Sequence, residues 1–156
     1  MKLVSACLIG IKCAYYGKSR TNRDLLALFQ RGELIPVCPE QLGGLTTPRL
    51  EAEIYGGTGK NVIEKKAKVI EKDGTDVTQH FIRGAYEVLY IAKKIGIKEA
   101  ILKARGPSCG CGRIYDGTFS GTLVDGDGVT TALLKMYGIQ VKSTEEVYLS
   151  RVRIGI

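Results

Sequence analysis

The segments KLVSACL (residues 2–8), NRDLLALFQR (22–31) and LIPV (34–37) decide the fold class. The first is a short apolar run that predicts a buried strand. The second opens on Asn22, a residue whose side chain suits a helix N-cap, and stops before Gly32, so it predicts a helix over 22–31. The third predicts a second short strand. A strand, a helix and a strand in such close succession make a crossover unit, which implies parallel pairing.

Outward from that unit the alternation continues. Residues 38–60 (CPEQLGGLTTPRLEAEIYGGTGK) are rich in Gly, Pro and Thr and predict a loop, longer than a mere connection and of the kind that carries function. Residues 61–72 predict a small hairpin or extended pair before the Asp73-Gly74 turn. From Val77 to Lys94, Phe81, Ala85, Val88, Leu89 and Ala92 recur at helical spacing, with Asp76 or Thr78 as cap and Gly96 as terminator. A strand at 99–103, a Gly-rich stretch at 104–128, a helix at 128–137, a strand at 139–142 and a tail complete the pattern. There is no internal repeat. The expectation is an α/β fold in a single domain over 1–156. A mostly parallel, open, Rossmann-like sheet carries helices on its faces, with a Gly-rich, cysteine-bearing cleft at the carboxyl ends of its strands.

Composition agrees with one soluble globular domain: of 156 residues 44% are hydrophobic and 25% charged. A chain of this size buries roughly 70% of its unfolded surface, so its core needs no disulfides. Disordered and fibrous classes are excluded. No apolar run approaches the roughly 20 residues that span a bilayer, and MKLVSACLIGIKC, broken by Gly10 and Lys12, reads as a first strand and not as a signal peptide. A cytoplasmic protein without a membrane partner is expected. Lys and Arg number 23 against 16 Asp and Glu, a net charge of +7, which permits a polyanionic partner such as RNA. The cations are spread along the chain, only Lys65, Lys66 and Lys68 being closely spaced, and no nucleic-acid-binding motif accompanies them, so a nucleic-acid partner is permitted and not favoured.

The cysteines carry the most information: Cys7, Cys13, Cys38, Cys109 and Cys111, an odd count that argues against a disulfide framework. The first predicted strand ends at Cys7, the second at Cys38, and the third, at Lys103, stops six residues short of Cys109. A parallel sheet brings those three ends to one rim. Soft thiolates there suit zinc or an iron-sulfur cluster. Because the spacing matches neither a zinc ribbon nor a ferredoxin, buried inert cysteines are the standing alternative. Glycines beside the cysteines let backbone N–H groups approach sulfur. His80, the only histidine, reads as a surface or satisfied residue. Arg49 and Lys103 offer anion contacts. Asp116, Thr118, Ser120, Asp125 and Asp127 lie in a Gly-rich stretch that suits a base or phosphate, although Asp116-Gly117 and Asp125-Gly126 are first of all turn signals. Arg49 and Ser120 are the expected substrate-binding residues.

Several segments make the chain similar to a known family. Ser5-Ala6-Cys7-Leu8-Ile9-Gly10 with Cys13, Val37-Cys38-Pro39-Glu40 running into Leu42-Gly43-Gly44-Leu45 and Thr47-Pro48-Arg49, Pro107-Ser108-Cys109-Gly110, and Tyr115-Asp116-Gly117-Thr118-Phe119-Ser120-Gly121 resemble the thiouracil desulfidase family over about residues 3–146. The resemblance implies a [4Fe-4S] cluster held by three cysteines, and removal of sulfur from a small thiolated pyrimidine, base or nucleotide, without net redox change. Carried over residue by residue, it implies Cys7, Cys38 and Cys109 as ligands, Glu40 as general base and Ser108 as hydrogen-bond donor or proton shuttle. For Glu40 the alternative is a loop glutamate paired with Arg49; for Ser108, a turn cap. Cys13 also matches a family position and reads as a second buried thiol near the cluster. The chain departs from the family at Gly106, where a serine is expected, at Tyr16, where an aspartate is usual, and at Cys111, where a small or hydroxyl residue is usual. Cys111 reads as a nearby thiol outside the ligand set. The competing class is a non-catalytic metal-binding or RNA-binding module that recognises thiolated tRNA or another polyanion, marked by affinity that falls steeply with salt.

Overall fold

The computed structural model describes residues 1–145. Strand β1 (Lys2–Ser5) runs into a buried 3-10 turn (Ala6–Ile9), followed by α1 (Arg23–Gln30) and β2 (Leu34–Val37). Then come α2 (Pro39–Leu42), β3 (Ala52–Tyr55), α3 (Gly59–Ile63), β4 (Lys68–Glu71) and the long α4 (Thr78–Ile95). The chain continues through β5 (Glu99–Leu102), β6 (Arg113–Tyr115), β7 (Leu123–Asp125), α5 (Val129–Met136) and β8 (Gln140–Ser143).

Strands β2, β1, β5 and β8 lie in that order in a four-stranded, wholly parallel sheet. Successive side chains of β1 point to opposite faces. Leu3 joins the larger apolar cluster with Phe81, Val88 and Leu133, whereas Val4 joins a second cluster with Leu8, Leu25 and Leu34. Helices α4 and α5 thus pack on one face and α1 on the other, as the alternation predicts. The chain leaves β1 for β2 on one side and returns past β1 to β5 on the other, so the order reverses beside β1 and opens a crevice at the carboxyl ends.

The caps follow the sequence closely. Asn22 Oδ1 accepts from the N–H groups of Asp24 and Leu25 at 3.0 and 3.1 Å. Asp76, not Thr78, caps α4 by accepting from the Thr78 N–H at 2.9 Å, while the Thr78 hydroxyl takes the Val69 N–H and ties β4 to the helix. Gly96 ends α4 in the left-handed region.

Three expectations need correction. The first strand stops at Ser5, because Ala6–Ile9 turns into a 3-10 helix closed by Gly10. Residues 38–60 are not one loop but hold α2 and β3. Residues 61–72 do not pair with themselves: the Thr58/Asn61 capping box starts α3, and β4 pairs antiparallel with β3, Ala52 opposite Glu71. The Gly-rich stretch 104–128 likewise contains the β6–β7 antiparallel pair. Residues of the tail beyond 145 lie outside the described residues. Among the described residues no helix is long and apolar enough to cross a membrane.

Candidate functional site

The carboxyl ends of β1, β2 and β5 open onto one cavity of about 740 Å³ whose wall includes Cys7, Cys13, Cys38 and Cys109. Each thiol is placed by a different local device. Cys7 sits in the 3-10 turn, fastened by the Arg20 N–H to its own carbonyl at 2.8 Å and by the Asn22 N–H to Leu8 O at 2.8 Å. Cys38 is the extended residue between β2 and α2, with Pro39 opening the helix. That short helix lies directly against α4. A Cβ on Gly84 would fall 1.9 Å from the Pro39 carbonyl oxygen, and one on Gly43 would fall 2.0 Å from the His80 carbonyl oxygen. Cys109 lies in the loop after β5, whose carbonyls serve the start of α5. Pro107 O accepts from Val129 N at 2.8 Å, Ser108 O from Thr130 N at 3.0 Å, and Cys109 O from the Thr131 hydroxyl at 3.0 Å.

The electrostatics divide the four thiols. Cys13 lies between Cys7 and Cys38, hydrogen-bonded to both, and Cys38 Sγ is 3.9 Å from the Cys13 carbonyl. Those bonds to Cys38 and Cys7 hold the proton on Cys13 and raise its pKa. The same bonds lower the pKa of Cys7, and they bring Cys38 down to about 7 with help from the Gln41 N–H. Burial pushes the Cys109 thiol up to about 12, partly offset by a hydrogen bond from Ser5. The Ser5 hydroxyl also accepts the Lys103 N–H at 2.9 Å, so one serine joins the ends of β1 and β5 at the site. Lys103 itself reaches the cavity wall, where burial and the Arg20 charge lower its pKa. Among the described residues no three His, Cys, Asp or Glu side chains stand close enough together to hold a single metal ion.

Glu40 and Arg49 are in the wall and are paired with each other. Arg49 Nε donates to Glu40 Oε2 at 2.7 Å and Nη2 donates to the same oxygen. Nη2 also serves the Cys13 carbonyl at 2.8 Å, and Nη1 serves Thr46 O and Thr47 Oγ1. All five guanidinium N–H donors have acceptors, and the side chain is only 7% exposed. Arg49, expected as a substrate contact, has no donor left for a ligand; it clamps the Cys13 and Thr46 segments to Glu40. Glu40 keeps Oε1 without a protein partner among the described residues.

Ser108 borders the cavity, but its buried hydroxyl is shared with Thr130 at 2.8 Å, the bond of a structural cap. Ser120 is exposed and is not brought into the wall: its hydroxyl bonds Thr118 and Thr122 at 2.6 and 2.9 Å, while its neighbours Phe119 and Gly121 line the cavity. Cys111 is not beside the other thiols either. It is buried in the larger core cluster, where its Sγ–H donates to Val141 O at 3.5 Å. His80 is satisfied, its Nδ1–H donating to Gly43 O at 2.8 Å. Three wall residues escaped the sequence reading: Ser5, Glu53 and Phe119. Phe119 carried a visible signal, an aromatic residue inside an otherwise turn-forming segment.

These thiols, their glycine-seated loops and the Glu40–Arg49 clamp fall within the segments on which comparison with known proteins rests. The 2-thiouracil desulfurase family model matches residues 3–146. The Bacillus subtilis (strain 168) protein YbbK, described as uncharacterised, is 46% identical over 147 residues, which are 94% of this chain and 97% of that protein. A solved structure described as the [4Fe-4S]-dependent thiouracil desulfidase TudS is 40% identical, covers 99% of this chain and 97% of its own, and superposes with a TM-score of 0.83. With the family match running through every strand of the parallel sheet and every thiol of the cavity, the chain belongs to the 2-thiouracil desulfurase family.

Proposed function

We propose that this protein removes sulfur from a thiolated pyrimidine of the thiouracil type, with a [4Fe-4S] cluster held by Cys7, Cys38 and Cys109. The observation that carries the reading is the convergence of three thiols from three strand ends on one cavity, too dispersed to share a single ion. A soft, dispersed donor set suits a multi-iron centre. Cys13 stays protonated between two of the ligands and supports their thiolate forms. When bound, such a cluster supplies an iron with a coordination position that three protein ligands leave over, a Lewis acid toward an exocyclic sulfur.

The chain's own groups do the rest. Arg49 holds the Glu40 carboxylate through Oε2 and leaves Oε1 to take a proton from water. The oxygen of that water adds to the C=S carbon. The C–S bond then breaks, sulfur departs as sulfide with the bonding pair, and a carbonyl forms in its place, so no electron enters or leaves overall. Lys103, a cation in the cavity wall, offsets the negative charge gathered there.

The test is direct. Protein purified without oxygen is expected to be brown and to release sulfide and uracil in equal amounts from thiouracil. Colourless protein carrying one zinc per chain and releasing no sulfide would overturn the reading.

A further inference from the structure

We propose that Phe119 is the surface on which the substrate's pyrimidine ring stacks, and that Glu53 is the positioning residue that holds it there. The proposal rests on the desulfidase reading and extends it to ring recognition. Phe119 lines the cavity, is half-buried, and belongs to neither apolar cluster of the core, so its placement is not explained by packing. Its backbone is in the left-handed region, φ 57°, which a bulky L-residue rarely adopts. Among the described residues only Lys65 and Arg105 share that property outside glycine, and Arg105 lines the same cavity. Strained backbone persists where surrounding contacts over-determine it, as they do at binding sites.

Those contacts come from β3. Glu53 is a buried carboxylate in the cavity wall, and its Oε1 accepts both the Gly117 N–H at 3.0 Å and the Phe119 N–H at 3.1 Å. Gly117, at φ 92°, lies so close to the strand that a Cβ would fall 2.5 Å from Ile54 O. Residues 117–119 are therefore pinned to β3 by a carboxylate on one side and by backbone contact on the other. The remainder of the site offers edges: thiols, a carboxylate, an ammonium. A flat heterocycle presents its polar atoms at the edge and needs an apolar partner for its face, which an aromatic ring supplies.

The experiment measures, on cluster-loaded protein, KM and kcat for thiouracil, the Kd for uracil, and iron per chain. Wild type is compared with Phe119→Ala, Phe119→Leu, Phe119→Tyr, Glu53→Ala and Glu53→Gln. Loss of stacking is expected to raise KM and the uracil Kd roughly ten-fold or more in Phe119→Ala and Phe119→Leu, with kcat and iron content unchanged. Phe119→Tyr restores both constants. Glu53→Ala shifts them in the same direction, and Glu53→Gln, which retains an acceptor oxygen, recovers them. Should Phe119→Ala fail to fold, Phe119→Leu keeps most of the apolar volume and decides the matter. KM and Kd within about two-fold of wild type in the folded Phe119 variants would overturn the proposal. Failure of the desulfidase reading shows separately, as wild type that releases no sulfide, because uracil affinity still reports on the ring's partner.

Discussion

Glu40 and Arg49 show how one ion pair assigns two roles. A guanidinium with every N–H engaged is a clamp, and the carboxylate it holds is presented to the cavity by its other oxygen. Glu40→Gln keeps the shape and removes the base, so turnover is expected to fall by roughly 10²–10⁴-fold while iron content holds, measured by sulfide release beside iron analysis. The thiols make a pH-dependent prediction. In cluster-free protein Cys38 ionises at about 7 and Cys109 only at about 12, so iodoacetamide should label Cys38 with a rate that rises through pH 7, and Cys109 last, read by peptide mass mapping. Since folding lowers the Cys38 value from 9.0, its contribution to the stability of that form is complete above pH 9 and drains away as pH falls through about 7. Labelling of Cys38 that does not change between pH 6 and 8 would contradict this. At this scale the sequence was legible where the residue type itself carries the chemistry, as with Cys7, Cys38 and Cys109 at strand ends. It was not legible where orientation decides. Ser120 and Phe119 are adjacent in one quoted motif, yet only Phe119 reaches the cavity.

Among the elements, the contact between α2 and α4 matters most for the site, because α2 carries Glu40 and begins at Cys38. Gly84 lets the Pro39 carbonyl lie against α4, and any side chain there must push α2 away. Gly84→Ala is expected to destabilise the fold by about 1–3 kcal/mol and to lower both iron content and turnover, measured by urea unfolding and iron analysis. Wild-type values for all three would show that α2 is not held by this contact. The sequence announced α1, α4 and β2 through periodicity and caps, since a helix of Asn22-to-Gly32 type carries its own boundaries. It concealed β3, whose four residues sit among turn formers and acquire their identity only by pairing with β4 across an intervening α3. Non-local antiparallel pairing leaves no local period to read, so Val69 and Ile70 suggested a hairpin with Val62 and Ile63 that does not exist.

For the whole molecule, the parallel order β2-β1-β5-β8 is what turns distant cysteines into neighbours. The alternation of strands and helices foretold a parallel sheet and a cleft at its carboxyl ends; the reversal of strand order beside β1, which gathers Cys7, Cys38 and Cys109 while leaving Cys111 in the core, is a property of the assembled sheet. The most direct test of this account is iron and acid-labile sulfide analysis of anaerobically purified wild type beside Cys7→Ala, Cys38→Ala, Cys109→Ala and Cys111→Ala. The account predicts about four irons per chain in wild type and in Cys111→Ala, with the metal lost from the other three. Undiminished iron in Cys7→Ala, Cys38→Ala and Cys109→Ala would contradict it.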